Sequence, residues 1–236
     1  MARLPRLCVP DLPHYLVQRG HNQQVVFVDD EDRRAYLAAL GESVATQKVA
    51  LLAYALLDDQ VHLLVAPPQA EAMGRMLQSL GRRYGAGFNR RHGRSGTLWE
   101  GRYRATVLDP ARHLLDAMRA VEQAPQRAGR VAEAGDWAWS SAAHHLGRAR
   151  VAWMSDPAAY WSLGNTPFER ELAWRRLLDE PLAAAVCEPL LQAVHKGWAF
   201  GSGTFIASLG AAVDRPLQPR PRGRPPRAPK LGQSGE

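Results

Sequence analysis

The feature that most constrains the fold is a pair of apolar runs, residues 49–57 and 61–66, separated by the polar residues 58–60. Apolar runs of this length, bounded by turn residues, are typical of buried strands. The pattern therefore predicts a β-hairpin of two buried strands, which occupies the middle of the predicted element order.

Elements of alternating type flank this hairpin. Acidic residues at 29–32 are suited to the start of a helix that extends to about Gln47, and a second helix is predicted over about 70–91. Strands are predicted within 13–28 and over 99–107. The resulting β-α-β-β-α-β order predicts an α+β, ferredoxin-like fold. RNA-recognition modules share this order, so the sheet is a candidate nucleic-acid platform, although a fold alone does not determine function.

The rest of the chain is predicted to be helical and then irregular. A third helix is expected over about 110–124, a Trp-rich extension over 137–146, and two further helices over 167–180 and 181–196. The tail from about residue 214 is rich in proline, arginine and glycine, a composition typical of disorder.

Composition narrows the functional class. The net charge is +7 and arginine carries nearly all of the positive charge, since lysine occurs only at positions 48, 196 and 230. Such an excess of positive charge, carried by arginine, points to nucleic acid as a partner, although high-GC genomes also favour arginine.

The longest apolar run has nine residues, too few to cross a membrane, and the N-terminus lacks a signal peptide's apolar region. Cys8 and Cys187 lie far apart, which excludes paired-cysteine zinc or redox sites.

Several stretches resemble the REP-associated tyrosine transposases, bacterial members of the HUH single-tyrosine transposases. The resemblance extends over nearly the whole chain, and its most specific part is SLGRRYGAGFNRRHGRSGTLWEGRYRA at 79–105. The other matching stretches are PHYLVQRGHNQQVVFVDDED (13–32), AYALLDDQVHLLVAP (53–67), AMRAVEQAPQRAGRV (117–131), WAWSSAAHH (137–145), YWSLGNTPFER (160–170) and KGWAFGSGTF (196–205).

The resemblance implies cleavage and rejoining of single-stranded DNA at the foot of imperfect hairpins. In the family, a tyrosine attacks the phosphate and a divalent metal polarises the phosphate oxygens. Two histidines flanking one hydrophobic residue hold the metal, since residues i and i+2 of a strand share a face. The matching triplet here is Gln60-Val61-His62. A glutamine carbonyl binds Mg²⁺ more weakly than an imidazole holds Mn²⁺, and His62 alone is more typical of a core histidine.

The nucleophile of the family lies in a helix motif Arg-Tyr-Ile-x-x-Asn-Pro. The matching segment here, residues 119–125, has Ala120 at the tyrosine position and Ala124 at the position of the metal-binding asparagine. A methyl group neither attacks phosphorus nor binds a metal. Three of the four catalytic positions are therefore substituted, so no cofactor is expected. Mg²⁺ or Mn²⁺ would be the cofactor only if the protein is active.

An arginine-rich segment at 82–104 carries seven arginines against one acidic residue, Glu100, with aromatic residues between them. Arginine suits phosphates and aromatic rings stack on bases, so the segment predicts a DNA-binding groove; the alternative is a solvated charged helix face. Tyr84 is interpreted as a core residue instead. The predicted DNA contacts are Arg82, Arg83, Arg90, Arg91, Arg94, Trp99, Arg102, Tyr103 and Arg104.

The tail contains Arg-Gly-Arg-Pro, the core of a minor-groove AT-hook, with Arg222 and Arg224 as its arginine pair. Nonspecific phosphate contact by a basic tail is the simpler interpretation. The adjacent histidines His144 and His145 resemble a metal pair only weakly, because neighbouring residues diverge in both helices and strands.

These observations predict a cytoplasmic, nucleoid-associated protein with three regions: a transposase-like HUH domain (1–150), a C-terminal helical region (151–213) and a disordered Arg/Pro-rich tail (214–236). The predicted function is recognition of hairpin or single-stranded DNA, such as REP-type palindromes, without strand cleavage. The alternative is an active metal-dependent tyrosine transposase that uses Gln60 and a displaced tyrosine. No membrane partner is expected, and the oligomeric state stays open.

Overall fold

The computed structural model describes residues 7–219 of the 236-residue chain. Four strands form one antiparallel sheet in the order β2-β3-β1-β4: β1 (His14–Arg19), β2 (Ala50–Leu56), β3 (Gln60–Ala66) and β4 (Arg104–Val107). Helices α1 (Asp30–Gln47) and α2 (Ala72–Arg91) form the two crossovers. The ferredoxin-like β-α-β-β-α-β order is confirmed.

Local sequence explains where α1 begins and ends. The Asp29 carboxylate accepts hydrogen bonds from the backbone N–H groups of Glu31 and Asp32, which would otherwise lack partners at the helix start. At the other end, Lys48 adopts a left-handed conformation and stops the helix directly before β2.

Both faces of the sheet are covered. Odd-numbered β3 residues, such as Val61 and Leu63, pack with α1 and α2 on what we call the α2 face. Even-numbered residues, such as Leu64, pack on the α3 face beneath α3 (Pro110–Glu122) and later helices. An open sheet platform of the RNA-recognition type is therefore wrong for this chain, because neither face is left free for bases to stack on.

Both sheet edges are also occupied. The Trp-rich extension lies along β2, where the Trp137 indole N–H donates to the Leu56 carbonyl at 2.9 Å and the Leu56 N–H donates to Trp139 at 2.9 Å. On the opposite edge, the Phe200 N–H donates to Val107 of β4 at 2.9 Å. Covered edges cannot pair with another chain, which protects a small sheet against aggregation.

The predicted strand over 99–107 is too long. Residues 99–103 form only an isolated bridge between Trp99 and Gly20, and the chain turns at Gly101, whose φ is +57°. A left-handed backbone cannot continue a strand, so pairing with β1 begins at Arg104.

The helices after α3 are α4 (Ala124–Arg127), α5 (Ala142–His145), α6 (Ala158–Trp161), α7 (Pro167–Asp179), α8 (Ala184–Lys196) and α9 (Gly203–Ala212). The sequence pattern did not predict α9. Trp174 of α7 and Leu190 of α8 are buried in the same apolar cluster as α3. The two predicted regions that meet at residue 150 therefore share one core.

The start of the tail also differs from the prediction. Within 214–219, Leu217 is buried beside Val107 and its carbonyl accepts from the Ala199 N–H at 2.9 Å, whereas Asp214, Gln218 and Pro219 are exposed. Arg222 and Arg224 lie outside the described residues. None of the helices in the described part of the chain is long and apolar enough to cross a membrane.

A buried carboxylate joins α3 to the second helical layer. Glu122, at the end of α3, accepts from the Ser141 hydroxyl at 2.5 Å and from the Trp174 indole N–H at 2.9 Å, and it contacts His145 Nδ1 at 2.5 Å. All four side chains are buried. Burying a carboxylate is costly unless donors surround it, so this network fixes how α5 and α7 pack on α3.

Removing one donor of this network should destabilise the protein. We expect Trp174→Phe to lower the free energy of unfolding by about 1–3 kcal/mol, because a buried carboxylate oxygen loses its partner and the smaller ring leaves a cavity. Urea denaturation measures this. The control is Trp161→Phe, whose half-exposed indole donates to the Asp156 carbonyl at 3.1 Å and should change stability by less than about 0.5 kcal/mol. Equal losses in the two variants would contradict a special role for Glu122.

A second buried histidine makes stability depend on pH. His14 Nε2 accepts from the Val9 N–H at 3.1 Å, and its Nδ1 contacts the Leu12 carbonyl at 2.8 Å, so the neutral ring uses both nitrogens. Burial lowers the pKa of His14 from 6.5 to about 4. The unfolded chain therefore takes up a proton below pH 6.5 that the folded protein does not, and stability falls as the pH drops.

We expect His14 to account for a loss of about 2 kcal/mol in unfolding free energy between about pH 7.5 and pH 5. Denaturation at the two pH values should show that His14→Gln has a smaller pH dependence than the wild type, although it is less stable at the higher pH. The exposed His21→Gln variant serves as the control and should keep the wild-type slope. If the unfolding free energy of His14→Gln changes with pH as much as that of the control, His14 is not the source of the pH dependence.

Candidate functional site

The strand register places the predicted metal residues on the α3 face. His62 of β3 lies opposite Val17 of β1, which lies opposite Arg104 of β4. One step nearer the strand end, Gln60 lies opposite Arg19. Directly opposed residues point to the same side of a sheet, so these five side chains share one face.

His62 is held as a neutral, buried imidazole. The Tyr15 phenol lies 2.8 Å from His62 Nδ1, and His62 is 7% exposed. Desolvation, with further contributions from Arg127, Arg19 and His195, lowers the pKa of His62 to about 3. All three neighbours are basic residues, and a positive charge on them disfavours a second positive charge on the imidazole. Burial raises the pKa of Tyr15 well above its usual range, so the phenol also stays neutral.

The Gln60 carbonyl, the other candidate ligand atom, is already engaged. It accepts from Arg19 Nε at 3.0 Å. The charge of the Arg127 guanidinium acts on the Tyr15 phenol, and the guanidinium donates to the Ala120 carbonyl. A divalent cation needs oxygen or nitrogen lone pairs around it, whereas this site presents two guanidinium groups. The residues present therefore do not fit the metal that the resemblance implies.

The two alanines at the remaining positions that the resemblance predicts to be catalytic are part of the core. Ala120 is fully buried on α3, and Ala124 is 4% exposed at the start of α4. Both pack in the apolar cluster of the α3 face. Their methyl groups contribute packing and offer no group that reacts with phosphate.

Burial prevents most of the tyrosines from acting as a displaced nucleophile. Five of the six in the sequence are buried: Tyr15, Tyr36, Tyr54, Tyr84 and Tyr160. Only Tyr103 is partly exposed, and it packs against the cluster of the α2 face, across the sheet from His62. Tyr84 donates its hydroxyl proton to the Val26 carbonyl, in agreement with its interpretation as a core residue.

The predicted arginine-rich groove is divided between the two sides of the sheet. Arg104 lies in the His62 row, whereas Arg82, Arg83, Arg90 and Arg91 lie on α2, which packs on the opposite face. Arg102 and Tyr103 line a surface cleft of about 510 Å³ with Gln18, Arg75 and Gln78 of the α2 side.

Several of these predicted DNA contacts already have protein partners. Arg83 forms an ion pair with Glu42. Arg91 lies within 2.9 Å of three carboxylates, those of Asp29, Glu31 and Asp32.

The remaining two predicted contacts lie in or beside the aromatic core. Arg94 donates to Gln24 and lies 5.6 Å from the centre of the Phe88 ring. Trp99 is 7% exposed and packs between Tyr36 and Tyr84, so its ring offers no open face to a base.

The structure adds cations that the sequence pattern had not singled out. Arg19, Arg127, His195 and Lys196 join Arg104 near the end of the α3 face, where Arg104 Nη1 donates to the His195 carbonyl at 2.9 Å. Burial and the charges of Arg19, Arg104 and Lys196 lower the pKa of His195. Arg19 was identifiable from strand alternation with Tyr15, but Arg127 and His195 required the tertiary fold.

His144 and His145 converge on Asp156 despite being adjacent in sequence. His144 Nε2 lies 3.1 Å from Asp156 Oδ1, and His145 Nε2 lies 3.7 Å from the same oxygen. The Val151 N–H donates to His144 Nδ1 at 3.1 Å, so a neutral His144 carries its proton on Nε2 and has no lone pair there for a metal. Hydrogen bonding within the fold accounts for His144, whereas His145 Nε2 has no hydrogen-bond partner among the described residues.

Comparison with known proteins supports the fold. A solved structure of a REP-associated tyrosine transposase bound to a REP hairpin matches with a TM-score of 0.54 and 12% identity over 66% of this chain and 92% of that one. A candidate transposase from Deinococcus radiodurans R1 matches with a TM-score of 0.36 and 24% identity over 49% and 93% of the two chains. No family model and no curated protein matches the sequence. The first of these matches supports a transposase-like fold for this chain.

The site geometry predicts that divalent metals do not stabilise this protein. A site with a Kd of about 10 µM would add about 2.7 kcal/mol at about 1 mM Mn²⁺, or roughly 5–10 °C in Tm. We expect thermal unfolding with Mn²⁺ and with EDTA to give the same Tm. A Mn²⁺-dependent rise that disappears in His62→Gln would show instead that Gln60 and His62 hold a metal. Loss of such a rise in Asp156→Asn would assign a metal to the His144–His145–Asp156 cluster.

Proposed function

We propose that this protein binds hairpin or single-stranded DNA of the REP palindrome type without cutting it, in association with the nucleoid. One observation carries the proposal: alanines stand at positions 120 and 124, and Gln60 and His62 are bound by Arg19 and Tyr15 beside basic residues, where a cleaving relative needs a tyrosine and metal ligands. The likeness to a transposase seen bound to a REP hairpin supports the choice of DNA as the ligand.

Charge supports the same conclusion. The chain has a net charge of +7, and Arg19, Arg104, Arg127 and Lys196 are exposed near one end of the α3 face. Clustered arginines attract a phosphate backbone by direct contact and by releasing its counterions. Arg82 and Arg90 are exposed on α2 and extend the basic surface to the other side of the sheet.

The alternative is an active metal-dependent transposase. It requires a tyrosine that reaches a phosphate, and Tyr103 alone is not buried. A phenol on the α2 face cannot attack a phosphate held beside His62, because the sheet lies between them. The enzyme hypothesis therefore depends on Tyr103 and on a second active site on that face.

A single experiment separates these two functions. We expect a labelled hairpin oligonucleotide with single-stranded flanks to bind the protein, yet to yield neither nicked DNA nor a covalent adduct on a denaturing gel with Mg²⁺ or Mn²⁺. The reason is that the α3 face lacks both a nucleophile and a metal site among the residues that the structure describes. Native gels of the same mixtures establish that DNA is bound under the assay conditions.

Tyr103→Phe and Tyr84→Phe are the matched variants for this assay. An adduct that forms with the wild type and with Tyr84→Phe but is lost in Tyr103→Phe would establish the enzyme and refute our proposal. An absence of any DNA binding would refute the binding function itself.

A further inference from the structure

Ten buried side-chain atoms of the described residues have no hydrogen-bond partner, and His62 Nε2 is the one among them that belongs to a strand of the sheet. His62 Nε2 is buried without a hydrogen bond, although His62 Nδ1 contacts the Tyr15 phenol. A buried polar atom without a partner costs about 1–3 kcal/mol. A ligand that supplies the missing partner would recover part of this free energy on binding.

The neighbours of His62 determine which atom carries its proton. The positive charge of Arg127 acts on the Tyr15 phenol, and a nearby cation attracts the lone pairs of the oxygen and repels the hydroxyl proton. The Tyr15 hydroxyl then donates its own proton to His62 Nδ1. A neutral imidazole whose Nδ1 accepts carries its single hydrogen on Nε2. The unpartnered atom is therefore an N–H donor, and it needs an acceptor.

The surroundings of this donor favour an anion. Arg19 and Arg127 are the two arginines whose charges act on His62, and Arg104 lies two strands away in the same row. Arg19 and Arg127 are exposed at their residue positions, so solvent and ligands reach them. Guanidinium groups match the geometry of phosphate oxygens, and their long side chains can turn to admit one.

We propose that His62, Arg19 and Arg127 bind one phosphodiester of single-stranded DNA without a metal ion, with the His62 Nε2–H and the two guanidinium groups as donors. The inference rests on the proposed DNA-binding function and deepens it. Arginine charge replaces the charge of a metal at this site, while the groups that would break the phosphodiester are absent from the described residues around it.

Neutral backbone linkages test the site. Fluorescence anisotropy in EDTA would compare hairpin probes that carry a methylphosphonate at successive positions of the single-stranded flank. For the wild type we expect one position at which the neutral linkage weakens binding roughly tenfold, the loss typical of a charge-assisted hydrogen bond. In Arg127→Met and in Arg19→Met, the neutral linkage at that position should not weaken binding further, because the guanidinium that pairs with the phosphate charge has already been removed.

The control is Arg176→Met, which removes an exposed arginine of α7 outside the site and should keep the position-specific effect. Inorganic phosphate gives a DNA-independent readout, since it should raise the Tm of the wild type but not of Arg127→Met. The inference is overturned if EDTA abolishes binding, if no single linkage matters, or if both site variants keep the effect. Loss of DNA binding with retained stabilisation by phosphate would refute the DNA-binding function but support an anion site.

Discussion

The central strand β3 is buried on both faces, and this constraint organises the structure around it. Val61, Leu63 and Val65 need one covering layer and His62 and Leu64 need another. Helices α1 and α2 provide the first layer, as in any ferredoxin-like unit. Helices α3, α7 and α8 provide the second, which a ferredoxin-like unit alone does not supply. The C-terminal region is therefore part of the core.

The second layer determines the chemistry of His62. Packing beneath α3 desolvates the imidazole and brings the Arg127 guanidinium to Tyr15, so the histidine is neutral and its Nδ1 is engaged. The Glu122 network fixes the same layer in place through Trp174 and Ser141. Metal binding would need ligand lone pairs that this arrangement does not offer, whereas an anion would meet fixed positive charge and an N–H donor.

Much of the fold was predictable from local pattern. The hairpin, α1 and α2 lie close to their expected limits, because apolar periodicity and the Asp29 cap are local properties. The strand expected from Trp99 was wrong over residues 99–103, since Gly101 turns the backbone and Trp99 belongs to the aromatic core. Helix α9 was not predicted, and Leu217 is held in place by packing beside Val107 rather than by any local signal.

Sequence alone establishes which chemical groups stand at the positions that the resemblance identifies as catalytic: a glutamine at 60, a histidine at 62, and methyl groups at 120 and 124. Strand alternation also places Gln60 and His62 on one face. The side chains that surround these groups are determined by the tertiary structure. The register of β1 against β3 sets Arg19 beside Gln60, and the packing of α4 sets Arg127 beside Tyr15. Tyr15 and Arg127 are distant in the chain, and local patterns carry no information on which distant side chains meet.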